Sequence, residues 1–245
     1  TKFEFMNSLF EKANVIASVV TENTSADTNA ALVKNLSINS FVMTDADGKI
    51  IASSDDKKVG TNFLDDETTK QFKAAVEDLQ SQGMKGLVID IRNNPGGVLK
   101  TVADMLDYIL PNGLIVYTET KSGKRQEYSG SDNHELNIPM AVLVNGNSAS
   151  ASEIFAGAMQ DYDKAQIIGT QTFGKGIVQT IRPLTDGSAV KYTIAKYFTP
   201  KGQDIHGKGV TPDRIVELPD DATEDVQLKA AVEYLNGKMS VSAAE

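Results

Sequence analysis

PMAVLVNGNSASASEIFAGAMQDY, residues 139–162, reads as strand, tight turn and helix. The opening residues are a short continuous apolar run, the pattern of a strand covered on both faces. Serines then occupy positions 148, 150 and 152, and the apolar residues beyond fall into helical spacing. A helix N-terminus presents free N–H groups and the positive end of a dipole. An anion forming there is stabilised, so a nucleophile on the first turn has an oxyanion donor beside it. Ser150-x-x-Glu153 equally matches a capping box, in which the serine is only an N-cap. Small residues also allow close backbone approach without any chemistry.

The same alternation extends on both sides. DDETTKQFKAAVEDLQSQG is an amphipathic helix, capped by Asp65 or Asp66 and ended by Gly83 as its C′ residue. GLVIDI is a second short apolar run, RNNPGG a turn of breakers, and VLKTVADMLDYIL a helix stopped at Pro111-Asn112-Gly113. LIVYTET and KRQEYS flank Ser122-Gly123 as a hairpin; AQIIGT is a strand; VQTIRPL and AVKYTIAKYFT form a hairpin about Asp186-Gly187. VTPDRIVEL is a further strand, and a helix covers about 223–237 before a frayed tail at 239–245. Ahead of all this, residues 3–20 have helical spacing, AALVKNL is a short helix, and SFVMTDADGKIIASS is a hairpin turned at Asp47-Gly48. The expected fold is α/β with some α+β character: a mixed sheet with parallel core strands, flanking helices and antiparallel hairpins, preceded by a small helix-plus-hairpin segment. The expected domains are 1–64, a catalytic core over 65–238, and the tail.

The chain has 245 residues, 40% hydrophobic and 23% charged, enough for a packed core. A net charge of −9 and a pI near 4.8 argue against a nucleic-acid groove or an anionic-membrane surface, since both need clustered Lys and Arg. There is no cysteine, which excludes disulfides, thiolate metal sites and a Cys nucleophile. The two histidines, His134 and His206, are far apart, so no metal or other cofactor is expected. His206 is expected to make a structural contact, and His134 to lie exposed in a polar loop. No apolar run reaches the about 18 residues of a membrane span, and no signal peptide pattern is present. A start at Thr1 rather than Met suggests an excised piece, so that membrane attachment would come only through an upstream anchor.

GTQTFGKG, residues 169–176, nearly matches the phosphate-binding loop GxxxxGK[ST]. Its last position is Gly176, which has no hydroxyl for Mg²⁺, and a strand pattern follows where a helix should open. Nucleotide binding therefore fits poorly. A surface turn would accommodate Lys175. Glycines on both sides also let backbone crowd the side chain and strip it of water, which would lower the lysine pKa and make it a base. A serine with such a lysine is a known substitute for the Ser–His pair.

Taken together, NSASASEIFAGAMQDY and IIGTQTFGKGIVQT resemble the catalytic core of the carboxyl-terminal processing (tail-specific) proteases. GLVIDIRNNPGG and DGSAVKYTIAKYFTPKGQDIHGKGVTPD resemble further segments of that family, so the likeness runs from about Asp65 to Leu235. It implies a serine endopeptidase with Ser150 as nucleophile, Lys175 as base and Gln179 as supporting residue. In a strand, Lys175 and Gln179 would share a face. It also implies an oxyanion hole from the N–H groups of Ala151 and of Gly97, with Gly96 the next choice. The partner would be a protein or peptide with an accessible C-terminal tail, the location extracytoplasmic in periplasm or envelope, and a homo-oligomer compatible with both.

Members of that family usually carry a PDZ domain, and no GxGF-like carboxylate-binding loop occurs here. SFVMTDADGKIIASSDDKKVGTNF instead resembles the hairpin of Cache- or PAS-like sensor domains, or serves as a packing cap. The alternative function is therefore an extracytoplasmic sensor or ligand-binding module with an inactive or incomplete protease core.

Overall fold

A computed structural model describes residues 42–44, 50–53, 67–131, 133–184, 188–219 and 222–242. The expected helices at 3–20 and around 30–36, and the hairpin turns at 47–48 and 186–187, lie outside them. The chain divides into two units, Thr1–Glu67 with Ile181–Lys191, and Thr68–Thr180 with Tyr192–Glu245. In the first, β1 (Val42–Thr44) and β2 (Ile50–Ser53) pair antiparallel, as the hairpin reading expects.

All of α1 (Glu67–Ser81) but its first residue belongs to the second unit. Gly83 takes φ +84, its amide bonds the Gln80 carbonyl at 2.9 Å, and Met84 bonds Leu79 at 3.0 Å, a Schellman close at the glycine the sequence marks. A parallel sheet follows in the order β10-β7-β6-β3: β3 (Leu87–Asp90), β6 (Met140–Val144), β7 (Gln166–Gly169) and β10 (Arg214–Ile215). The β3–β6 register sets Leu87 opposite Met140 and Asp90 opposite Leu143.

Strand periodicity explains why every residue of β6 is apolar. Met140, Val142 and Val144 point into the main core, with Leu106 and Ile109 of α2 (Leu99–Ile109) and Ile154, Phe155 and Met159 of α3 (Ala151–Asp161). Ala141 and Leu143 point into a second core, with Ala230, Ala231 and Leu235 of α4 (Val226–Ser242). Helices thus cover both faces, the arrangement in which parallel strands are buried. The helix α4 continues past Gly237, where the sequence suggests an end, and Met239 packs on the second core; the tail expected to fray is helical to Ser242. The expected strand around VTPDRIVEL reduces to the two residues of β10.

Antiparallel strands form a separate sheet, β5-β4-β9-β8, rather than extending the parallel one. It contains β4 (Gly113–Thr120), β5 (Arg125–Gly130), β8 (Ile177–Pro183) and β9 (Ala189–Phe198). Gly123, at φ +81, turns β4 into β5, and Tyr117 stacks on Phe198 across the β4–β9 pair with ring centroids 5.0 Å apart. Among the described residues, no helix is long and apolar enough to cross a membrane.

Candidate active site

The turn between β6 and α3 lies at the carboxyl end of the parallel strands, where open α/β sheets place their sites. Its three serines differ in what they hold. Ser148 is fully buried; its hydroxyl donates to the Ile91 carbonyl at 2.8 Å and accepts from the Asn145 amide at 3.0 Å. Ser152 donates to the Asn94 carbonyl at 3.0 Å. Both bind the turn to the loop after β3. Ser150 does neither: it is half-buried and adopts φ 58, ψ −118. A non-glycine residue in that region is strained, and such strain concentrates at functional sites. A serine on a strained strand-to-helix turn has its hydroxyl thrust outward.

The loop after β3 approaches this elbow through Gly96. That residue has φ +90, and a Cβ there would stand 2.5 Å from the Ala149 carbonyl oxygen and 2.6 Å from the Ala151 nitrogen. The Gly96 amide is engaged by Asn94 Oδ1 at 2.9 Å. Gly97 has open space around it, and its amide donates to no acceptor among the described residues; neither does that of Ala151 at the mouth of α3. Gly96 therefore makes the close approach, while Gly97 and Ala151 keep their donors free.

Lys175 belongs to a loop over residues 170–176, ahead of β8. The Phe173 amide bonds the Ser148 carbonyl at 3.0 Å. Glu153, on the first turn of α3, accepts from the Lys175 amide at 2.8 Å and the Ser150 amide at 2.9 Å through one oxygen, Oε2. The backbones of the two residues thus meet at one atom. The Glu153 amide donates to the Ser150 carbonyl at 2.8 Å, and the Ser150 hydroxyl stands over it in capping-box fashion without a cap hydrogen bond.

The expectation that glycines strip Lys175 of water is not met: Lys175 is exposed. The glycines serve backbone packing on the loop at 205–209 instead. A Cβ at Gly174 would stand 3.1 Å from the Lys208 nitrogen, and one at Gly176 would stand 2.5 Å from the His206 nitrogen. Nor does strand alternation link Lys175 to Gln179, because Lys175 precedes the strand. Gln179 lies on β8, exposed, and no hydrogen bond among the described residues joins its side chain to Ser150 or Lys175.

Tyr197 on β9 is a site residue that sequence reasoning missed. It is 3% exposed, its hydroxyl donates to the Lys175 carbonyl, and its amide donates to the Gly176 carbonyl at 3.1 Å. Burial pushes its pKa up to about 12; a hydrogen bond with the Ser150 side chain opposes the rise, and the Glu153 charge adds to it. No motif marks Tyr197, since only the fold brings β9 to the elbow. His206 contributes backbone contact and its ring is exposed. His134, expected to be exposed, is half-buried, stacked on Tyr108 at 3.9 Å and bonded through Nδ1 to the Tyr108 carbonyl.

Beside Gly97 and Ala151 opens a cleft of about 250 Å³, lined by Phe72, Ile89, Ile91, Val102, Met105 and Phe155 among others. Its walls are chiefly apolar, and Gly97 and Ala151 are among the residues that line it.

Residues 35–216 match the model of peptidase family S41. A carboxyl-terminal-processing protease of Synechocystis sp. is 40% identical over 179 residues, covering 71% of this chain and 42% of its own length. A probable CtpA-like serine protease of Staphylococcus epidermidis is 43% identical over 162 residues, covering 64% and 33%. Among solved structures, the photosystem II D1 C-terminal processing protease aligns with a TM-score of 0.60 at 39% identity, over 70% of this chain and 44% of its own. The chain thus spans less than half the length of these relatives. With the elbow serine, the lysine loop and the match over 35–216 in agreement, the chain belongs to peptidase family S41.

Proposed function

We propose that this chain is the catalytic core of a serine endopeptidase that cuts proteins near their C-termini. The observation that carries the reading is the elbow: Ser150 at positive φ, beside two free backbone donors, with the Lys175 amide on the same Glu153 oxygen as its own. Neutral Lys175 takes the Ser150 proton as Oγ attacks the scissile carbonyl carbon. The carbonyl π electrons move to oxygen, and the N–H groups of Ala151 and Gly97 hold that oxyanion. The lysine then passes the proton to the departing amine as the C–N bond breaks. Water, deprotonated by the same lysine, hydrolyses the ester and restores Ser150. Because Lys175 is exposed, bound substrate is what dehydrates its amine. Gln179 supports the lysine from β8 in this reading.

The apolar cleft beside the donors takes an apolar side chain next to the scissile bond. By the names of the relatives, the substrate is a protein with an accessible C-terminal tail. The net charge of −9 argues against a nucleic-acid partner. The location is extracytoplasmic, and assembly as a homo-oligomer fits the reading. The test is turnover of a fluorogenic peptide with apolar residues at its cleavage site and a free C-terminus. Ser150→Ala and Lys175→Ala should each lose more than about 10³-fold in kcat with an unchanged circular dichroism spectrum. Wild-type turnover in either variant overturns the reading.

A further inference from the structure

We propose that Glu153 is a positioning residue that locks the Lys175 loop onto the Ser150 elbow, a role that rests on the Ser–Lys reading above. In sequence Glu153 is half of a capping box. A cap, however, uses only one acceptor, and this carboxylate has four donors around it. Oε2 accepts from the amides of Ser150 at 2.9 Å and Lys175 at 2.8 Å. Oε1 accepts from the Thr172 hydroxyl and the Gly174 amide, both at 2.6 Å. Three of the four come from the lysine loop and one from the nucleophile itself.

The carboxylate is 0% exposed. Burying a charge is costly unless it is hydrogen-bonded throughout. Here the helix dipole and four donors offset that cost. The chain of bonds continues outward, because the Thr172 hydroxyl accepts from the Val210 amide at 2.7 Å. Glu153 therefore sits where nucleophile, lysine loop and the loop at 205–210 converge. It touches no substrate; it fixes the separation between the group that attacks and the group that takes the proton. A misplacement of about 1 Å can cost about 10²-fold in rate.

An ionised carboxylate is acceptor-only, whereas an amide places an NH₂ on one side. In Glu153→Gln that NH₂ must face either the Ser150 and Lys175 amides or the Gly174 amide, donor against donor; only the Thr172 hydroxyl can turn to accept. The loop then parts from the elbow while the cleft stays as it is. Glu153→Asp keeps the charge and can still cap Ser150, but its carboxylate retreats by one methylene from the lysine loop.

The experiment is a double-mutant cycle on the intact chain, with Glu153→Gln, Lys175→Ala and the pair, using an activated p-nitrophenyl ester so that residual turnover is measurable. Melting curves establish that each variant is folded at the assay temperature. Glu153→Gln should lower kcat about 10²-fold with KM within about twofold, and in the Lys175→Ala background it should cost less than about threefold. Residues acting as one unit lose their effect together, whereas a merely structural defect multiplies. Should Glu153→Gln fail to fold, Glu153→Asp decides: kcat should fall at least about tenfold with a melting temperature near that of the parent. Full activity in the folded variant, or losses that multiply, overturns the positioning role. Parental activity in Ser150→Ala overturns the Ser–Lys reading instead.

Discussion

At the scale of single residues, two adjacent glycines do different work although their letters are identical. Gly96 combines φ +90 with a backbone approach that no Cβ can enter, whereas Gly97 has open space. Gly96→Ala should cost about 1–3 kcal/mol of stability, from the strained dihedral and the forced separation of loop and elbow. It should also lower kcat by about 10²-fold, because the Ala151 and Gly97 donors then move apart. Gly97→Ala keeps its N–H and meets nothing, so stability should stay within about 0.5 kcal/mol. Urea unfolding and peptide turnover on both variants measure this, and equal losses in the two would contradict the assignment of the close approach to Gly96. From sequence, the pair is visible as a place where backbone comes near something. Which glycine approaches, and which keeps its amide free, depends on dihedrals and on Asn94 Oδ1 capturing the Gly96 amide. Neither is written in the letters.

At the scale of the element, the β6–turn–α3 unit is what the sequence makes most legible. A five-residue apolar strand must be covered on both sides, and the structure covers it with α2 and α3 on one side and α4 on the other. The three serines also announce a helix mouth, but not their division of labour. Ser148→Ala should destabilise the protein by about 1–3 kcal/mol, since it leaves the Asn145 amide without its acceptor and the Ile91 carbonyl with only the Asn94 amide at 3.3 Å. Ser150→Ala keeps the Cβ and the backbone and should change stability by less than about 0.5 kcal/mol. Denaturant unfolding separates the two, and a reversed order would contradict this account of the turn. The lysine loop was legible only as a motif. Its glycines suggested a dehydrated amine, yet they face the loop at 205–209 and leave Lys175 exposed. Glu153 looked like a cap because local spacing cannot show that a strand-leading loop more than fifteen residues later will return its amides to the same carboxylate.

At the scale of the molecule, the loop after β3 is tied across the sheet to the far helix layer by Arg92. Its guanidinium bonds Asp90 at 2.6 Å at the end of β3, and Asp225 at 2.7 Å and Gln227 at 3.0 Å at the start of α4. Asp225 also caps that helix, accepting from the Leu228 amide at 2.9 Å. The hydrogen bond from Arg92 holds the Asp225 carboxyl below its ordinary range. A carboxylate whose folded pKa is depressed stabilises the fold above its unfolded value, about 3.9, and loses that contribution as pH falls through the folded value. Arg92→Met removes the partner and lets Asp225 return upward. Near neutral pH it should cost about 1–2 kcal/mol, less than a fully buried charged hydrogen bond because Asp225 remains partly exposed. The gap between parent and variant should stay constant from about pH 8 to about pH 5, narrow as pH falls below about 4, and close once pH is below the lowered folded value, where Asp225 is protonated in both proteins. Urea unfolding at a series of pH values measures it. Curves that remain parallel down to acid unfolding would mean that Arg92 acts through packing alone, and that the sheet edge and α4 are not joined by charge.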